Sequence, residues 1–179
     1  MFPKVKPHQG LDTNPFHIIA SLEDGEENNS FYAHLQFLEQ FYRLILTGIH
    51  SDSLELLNRI TQELYERKGI DAKTDLIKLK STDYPTFDDL NQLIEEKLSL
   101  ETDDYSKTCL KILINYVSKF KTGGRNSNLW NGYTTFSPQE NFIAFNFQKL
   151  LANKNDVTAN AQMLLVLKWL ENEIIKNRD

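Results

Sequence analysis

The spacing of apolar residues predicts helices over most of the chain. In four segments, apolar positions recur every three or four residues, which places them on one side of a helix where they can pack against a core. Gly48, Gly69 and Gly123 follow three of these segments, at the position where glycine favours the end of a helix. The four segments are residues 30–47, 53–68, 86–98 and 102–121.

The pattern changes in the C-terminal third of the chain. Residues 129–136 carry aromatic and β-branched side chains around Asn131-Gly132, which predicts a hairpin turn. Residues 141–147 alternate in a way that is typical of a strand. A last helix, residues 157–177, is apolar on nearly every side, so it needs either full burial or a partner outside this chain.

The predicted fold is therefore mainly α, a bundle-like domain of four to five helices with a small β element near residues 129–147. Three of the five prolines lie in the first 20 residues, where they prevent a regular helix. We expect residues 1–20 to be an extended leading segment and residues 21–179 to form the helical domain, since 179 residues are enough for about one domain. The predicted core includes Leu35, Leu38, Leu57, Leu64, Leu90, Ile94, Leu113, Val117, Phe145 and Leu167.

Charge is distributed unevenly along the chain. The net charge of −5 argues against a general nucleic-acid coat protein. Residues 1–100 carry 10 basic and 17 acidic side chains, whereas residues 105–138 carry five cations and no acid. Such a segment can contact phosphates, but a solvated helix face is the favoured interpretation. The five cations are Lys107, Lys111, Lys119, Lys121 and Arg125.

The common motifs of catalysis and metal binding do not occur in the sequence. There is no Gly-x-x-x-x-Gly-Lys-Ser/Thr run and no Gly-x-Gly-x-x-Gly run. The four histidines are not spaced for a shared zinc ion, and His34 is expected to be a partly exposed polar residue. Cys109, the one cysteine, lies on an apolar stripe and is expected to be a buried, inert thiol in a reducing compartment. We predict no catalytic residue, cofactor-binding residue or metal ligand in this chain.

Six short runs, taken in order, carry more information than any single motif. Their order resembles that of the conjugation and type IV secretion ATPases of the TraE/TrbE/CagE type, over residues 10–178. The runs are Asn14-Pro15-Phe16-His17-Ile18, Tyr65-Glu66-Arg67-Lys68-Gly69-Ile70, Tyr84-Pro85-Thr86-Phe87-Asp88-Asp89-Leu90, Leu129-Trp130-Asn131-Gly132-Tyr133-Thr134, Phe142-Ile143-Ala144-Phe145-Asn146-Phe147 and Ile174-Ile175-Lys176-Asn177-Arg178.

This resemblance implies that the chain is a piece of a larger ATPase. In that family the corresponding stretch is a mostly helical insertion between the Walker A and Walker B motifs of a RecA-like motor domain. Both motifs would lie outside this chain, so no catalytic residue of the family is carried over to it. ATP and Mg²⁺ are expected only in the parent protein, which would work at the cytoplasmic face of the membrane.

The expected function is that of a non-catalytic module of a conjugative-transfer ATPase, providing subunit or channel contacts. Expected partners are the remainder of the motor domain, other secretion-channel components and possible further copies of the same protein. The alternative is a nucleic-acid-binding helical module that uses residues 107–125. A stand-alone enzyme has less support, because the sequence supplies no convergent set of polar groups. The candidate contact residues are Trp130, Tyr133, Lys111, Lys119 and Arg125.

Overall fold

The computed structural model of the protein describes residues 13–19, 27–134 and 156–176. Within these ranges the chain is mainly helical, with six α-helices and two short 3₁₀ turns, Leu76–Lys78 and Ser81–Asp83. The α-helices are α1 (Glu27–Ile45), α2 (Ser51–Arg67), α3 (Phe87–Leu100), α4 (Asp104–Val117), α5 (Ser127–Trp130) and α6 (Asp156–Lys176). The four helices predicted before residue 122 are confirmed, with ends that differ by a few residues.

Local capping interactions explain where the helices begin. The Thr86 side chain accepts a hydrogen bond from the Asp89 amide, and the Asp89 carboxylate accepts one from the Thr86 amide at 2.8 Å. This reciprocal pair satisfies amide groups that have no partner inside the helix. Asp103 does the same for α4 by accepting from the Ser106 amide at 2.7 Å. Both caps are set by residues three positions apart, which is why the sequence predicts them.

The helices pack as a connected set around one core. Helices α2, α3 and α4 pack against one another, α1 packs on α2, and α6 packs on α1. Ion pairs reinforce the contact between α2 and α3: Arg67 binds Glu96 at 2.8 Å, and Lys97 pairs with Glu63. These pairs are substantially exposed to water, so each contributes little to the free energy of unfolding.

Most of the predicted core is confirmed. Leu35 is partly buried and packs against the core. Leu167 is exposed, and its predicted burial is wrong because its side of α6 faces away from the core. Phe145 lies outside the described residues. The seven buried members are Leu38, Leu57, Leu64, Leu90, Ile94, Leu113 and Val117.

Residues 13–19, called the strap below, pass through the core without forming a helix. Phe16 and Ile18 are fully buried, and the Phe16 ring meets the Phe87 ring edge-on at 5.1 Å between centroids. The backbone carbonyls of these two residues accept hydrogen bonds from buried tyrosines, Tyr65 at 2.6 Å and Tyr84 at 3.1 Å. The strap therefore contributes both apolar packing and polar connections to the helices.

Asn14 holds the start of the strap through both polar atoms of its side-chain amide. Its Nδ2 donates to the Pro85 carbonyl at 2.8 Å, and its Oδ1 accepts from the Phe16 amide at 3.0 Å. Its own amide donates to the Thr134 hydroxyl at 3.1 Å. The described part of the predicted leading segment is thus bonded to loops that are 71 and 120 residues away in sequence.

The predicted hairpin is wrong in its described part. Residues 127–130 form the short helix α5, and Asn131 has a φ of −96°, whereas the two-residue turn that favours Asn-Gly needs a positive φ at that position. The Trp130 side chain packs between Phe41 and Phe120, and this packing determines the local backbone in place of the turn. Described residues 13–19, 27–134 and 156–176 include no strand. The strand predicted at 141–147 lies outside them.

Candidate interaction surface

The five candidate contact residues do not form one exposed surface. Trp130 is 2% exposed. Its ring centroid lies 5.0 Å from that of Phe41 in α1 and 5.4 Å from that of Phe120, and its Nε1 donates to Gln162 Oε1 in α6 at 2.8 Å. This burial does not fit the surface position that a contact residue needs. Trp130 is a core residue that connects α5 with α1 and α6.

Lys119 is also engaged inside the fold. Its Nζ donates to the Ile45 carbonyl at 3.1 Å and lies 5.0 Å from the centroid of the Phe120 ring. Ile45 is the last residue of α1, where carbonyl groups lack helical partners and attract a cation. Partial burial, with the charge of Arg125 nearby, lowers the pKa of Lys119. The side chain thus caps α1 and is half-buried.

Three of the candidate residues remain exposed: Lys111, Arg125 and Tyr133, called the contact set below. No ion pair involves Lys111 or Arg125 in the part of the chain that the structure describes. Two other cations of the basic segment are bound internally, Lys121 to Glu95 at 2.9 Å and Lys107 to the Thr102 carbonyl at 3.3 Å. The contact set therefore holds the two basic side chains of this segment that are most available to another molecule.

The loop that carries Arg125 is held in a defined shape. The Asp88 carboxylate accepts hydrogen bonds from the Thr122 amide and hydroxyl, each at 2.7 Å. Gly123 has a φ of +82°, a conformation that glycine adopts without steric cost. A Cβ atom on Gly124 would lie 2.5 Å from the carbonyl oxygens of Ser118 and Lys119. The two glycines turn the chain after α4, in agreement with the expected helix-ending role.

Replacing Gly124 with Ala is expected to lower the free energy of unfolding by about 1–3 kcal/mol, because the new Cβ would overlap two backbone carbonyl groups that cannot move independently. Gly132→Ala is the matched control, since no atom lies within 4 Å of its ideal Cβ position. Urea unfolding followed by circular dichroism measures both. Equal stability of the two variants would contradict the close approach at Gly124.

Helix α6 exposes apolar side chains beside the polar Asn160 and Glu171. Met163 and Leu167 are 43% and 58% exposed, and they lie four residues apart, so they share one side of the helix. The opposite side is buried, with Ala161 and Val166 inside the core. Met163 and Leu167 are called the α6 strip below. The sequence predicts that this apolar helix needs full burial or a partner outside the chain. Met163 and Leu167 are two apolar positions that the chain leaves exposed.

Some kinds of site are not found in the described part of the chain. Among its residues, the structure holds no group of three or more His, Cys, Asp or Glu side chains arranged to bind a metal ion. None of its described helices combines the length and apolar character needed to cross a membrane. Cys109 is buried, as predicted.

The helix order and packing define an all-α module over the described ranges. A solved structure with the same fold is that of VirB4 of Thermoanaerobacter pseudethanolicus, a type IV secretion ATPase, with a TM-score of 0.80 and 23% sequence identity. The match covers 94% of this chain and 60% of the VirB4 chain. No protein-family model matches the sequence. No curated protein matches it either.

This likeness concerns the fold, and it supports the resemblance drawn from the order of the six runs. The chain spans 60% of the length of the VirB4 chain that it matches. The activity and partners of the whole VirB4 protein are therefore proposals for this chain.

Proposed function

We propose that the protein is a helical module of a type IV secretion ATPase, and that it provides contact surfaces without catalysing ATP hydrolysis itself. The shared fold with VirB4 over 94% of the chain is the observation that carries this proposal. The sequence adds independent support, because the ordered runs from residue 14 to residue 178 resemble the same class of ATPase.

The non-catalytic role is supported by the sequence. A Walker A motif needs a glycine-rich loop ending in Gly-Lys-Ser/Thr to hold the phosphates, and no such run occurs in the 179 residues. The match leaves 40% of the VirB4 chain without a counterpart here, since it covers 60%. In the proposed parent protein, ATP and Mg²⁺ would bind in a region that corresponds to that part.

Two sets of exposed residues are proposed as contacts. The α6 strip would pack against the remainder of the motor domain, because two apolar side chains four residues apart suit burial in an apolar groove. The contact set, Lys111, Arg125 and Tyr133, would face other channel components or another copy of the ATPase at the cytoplasmic face of the membrane. The two cations of this set suit an acidic partner surface.

The size of the native polypeptide is the first test. An immunoblot of cells that carry the intact gene should give a band far above 20.8 kDa, the mass of this chain. A band at 20.8 kDa would mean that the protein is free-standing, and the proposed role as part of a larger ATPase would then be rejected.

The contact role is tested in the full-length protein. Changing Met163 and Leu167 together to Glu is expected to reduce transfer at least about tenfold while nucleotide binding is retained, because two charges would enter an apolar contact. Leu100→Glu is the matched control, since Leu100 is equally apolar and more exposed, at the end of α3. Transfer at the wild-type level in the double variant would reject the α6 contact.

A separate variant tests the contact set. Lys111, Arg125 and Tyr133 are changed together to Ala, and Arg43 is changed to Ala as an exposed cation on α1 that already pairs with Glu39. We expect transfer to fall in the triple variant and not in the control. Loss of nucleotide binding in the triple variant would show a general defect and would count against a dedicated contact.

The nucleic-acid alternative has fewer available charges than its sequence suggests. Lys107, Lys119 and Lys121 are engaged within the fold, which leaves Lys111 and Arg125 for phosphates. Two phosphate contacts predict weak binding whose affinity changes little with salt. Tight binding to single-stranded DNA at ~50 mM salt, with a slope of several counterions, would favour this alternative over a protein contact.

A further inference from the structure

The sequence of helix α6 does not determine which side of it faces the core. Residues 163–167 are five consecutive apolar residues, Met-Leu-Leu-Val-Leu. One turn of an α-helix takes about 3.6 residues, so five apolar residues in a row cover every side of the helix. A helix with one apolar stripe is oriented by that stripe, and this part of α6 has no such single stripe. The rotation of α6 about its own axis therefore needs another determinant.

The buried side of α6 includes small and polar residues, whereas two large apolar side chains, Met163 and Leu167, are exposed. Burial of apolar surface stabilises a fold in proportion to the area removed from water. This term does not favour the observed rotation over one that brings Met163 and Leu167 inside. The five buried residues of the helix are Ala159, Ala161, Gln162, Leu165 and Val166.

Gln162 makes two specific hydrogen bonds from this buried side. Its Oε1 accepts from Nε1 of Trp130 in α5 at 2.8 Å, and its Nε2 donates to Oγ1 of Thr13 in the strap at 3.2 Å. The indole N–H is a donor only, and Trp130 is buried, so this donor needs an acceptor inside the protein. One amide thus satisfies a buried donor and bonds α6 to both α5 and the strap.

These hydrogen bonds are compatible with one rotation of α6. Successive residues of a helix point in different directions around its axis, so a rotation that replaces Gln162 by Ala161 or Met163 carries the amide away from both partners. Neither replacement offers a strong hydrogen-bonding group. The Trp130 N–H would then be buried and unpaired, which costs more free energy than an ordinary hydrogen bond contributes. In coiled coils, one buried polar residue selects a single arrangement in the same way.

We propose that Gln162 is a positioning residue that selects the rotation of α6 about its axis, and that this selection places Met163 and Leu167 on the outside of the protein. The proposal concerns the chain itself. The use of the α6 strip as a contact rests on the proposed function, but the rotation does not. A variant that lacks the amide is expected to keep its helices while α6 occupies more than one rotation.

Oxidation of Met163 measures the rotation in the whole chain. Gln162→Leu replaces the amide by an apolar side chain of similar size. The variant and the wild type are treated with dilute hydrogen peroxide, and sulfoxide formation at Met163 is followed by mass spectrometry. We expect the rate to fall about twofold in the variant, because two rotations of similar population leave the thioether exposed for half of the time. A helix that merely detaches would show the opposite change, faster oxidation.

A cysteine on the buried side gives the complementary measurement. Val166→Cys places a thiol at a buried position, where iodoacetamide should label it slowly. Adding Gln162→Leu should raise this labelling rate at least about tenfold, because a thiol exposed for half of the time reacts faster than one reached by rare opening. Cys109 is buried and is the internal reference, whose labelling should not change. Asn160→Ala removes an exposed amide from the same helix and should leave both rates unchanged.

Thr13→Val tests the same selection without changing α6. It removes the acceptor of Gln162 Nε2 and keeps the shape of the side chain, so both rates should shift in the same direction by a smaller factor. In Gln162→Leu, adding Thr13→Val should have no further effect, because the amide that bonds to Thr13 is absent.

Two results would overturn the proposal. One is that both single variants keep the wild-type rates of oxidation and labelling. The other is that Met163 oxidises faster in Gln162→Leu, which would make Gln162 an anchor of the helix and not a determinant of its rotation. Transfer in cells that does not depend on the α6 strip would reject the proposed contact and leave these labelling results unaffected.

Discussion

Replacing Trp130 with Ala is expected to lower the free energy of unfolding by about 3–5 kcal/mol. The indole ring is buried against Phe41 and Phe120, and its removal leaves a cavity among rings from α1 and the turn after α4. It also leaves Gln162 Oε1 in α6 without its donor. Since small domains are stable by about 5–15 kcal/mol, this loss would consume a large share of the total.

Urea unfolding followed by far-UV circular dichroism measures this loss, because the substitution itself changes the tryptophan fluorescence. Trp130→Phe separates the two contributions: it retains an aromatic ring and loses the Nε1 donor, and it should cost about 1–3 kcal/mol. Tyr133→Ala, three residues further along and exposed, is the control and should change stability by less than about 0.5 kcal/mol. A similar stability for Trp130→Ala and Tyr133→Ala would place Trp130 at the surface, where a contact residue would lie.

The helices of this fold are predictable because their signals are local. The Thr86–Asp89 capping box and the Asp103 cap each join residues three positions apart, so the sequence contains the whole interaction. The apolar spacing in the same segments gives the side that faces the core. Where neighbours along the chain determine the structure, as at the start of α3, sequence and structure agree to within one or two residues.

The surroundings of Trp130 and His34 are not predictable in this way, because distant residues determine them. The Asn131-Gly132 pair favours a hairpin turn when the flanking strands pair. Here the Trp130 ring packs between Phe41 and Phe120, and the residues before Asn131 form a short helix in place of a strand. His34 occupies a position that looks like an ordinary polar residue in the sequence of α1. In the structure it is buried, with its ring near Tyr65 of α2 and a hydrogen bond to the backbone of Pro15 in the strap.

The candidate contact residues show the same limit. Five cations lie between residues 105 and 138, but the sequence cannot tell which of them reach partners inside the fold. Lys119 reaches the end of α1, 74 residues away, and Lys121 reaches Glu95 in α3. The resemblance to the secretion ATPases is informative for a different reason. It compares the order of several runs along the chain, and this order can be read from the sequence even when the role of each residue is unknown.

Replacing Phe16 with Ala is expected to lower the free energy of unfolding by about 3–5 kcal/mol, although Phe16 lies in a segment without regular secondary structure. The side chain is fully buried and meets the Phe87 ring at 5.1 Å between centroids. Its backbone carbonyl accepts from Tyr65 of α2, so the strap binds the helices through its backbone as well as its side chains. The loss should resemble that of a core residue in a helix.

Tyr65→Phe tests the polar part of the same attachment. It removes the hydroxyl that donates to the Phe16 carbonyl at 2.6 Å and leaves that buried carbonyl without this donor, so it should cost about 1–3 kcal/mol. Leu100→Ala, at an exposed position, is the control for both variants and should change stability by less than about 0.5 kcal/mol.

Equilibrium unfolding in urea distinguishes a strap that belongs to the core from one that merely lies on it. If the strap is part of the core, Phe16→Ala lowers the midpoint of one cooperative transition, because every helix that contacts the strap loses stability together. If the strap detaches independently, the helices should unfold at the wild-type midpoint in Phe16→Ala. That second result would contradict the role assigned to residues 13–19, and it would return them to the separate leading segment that the prolines predict.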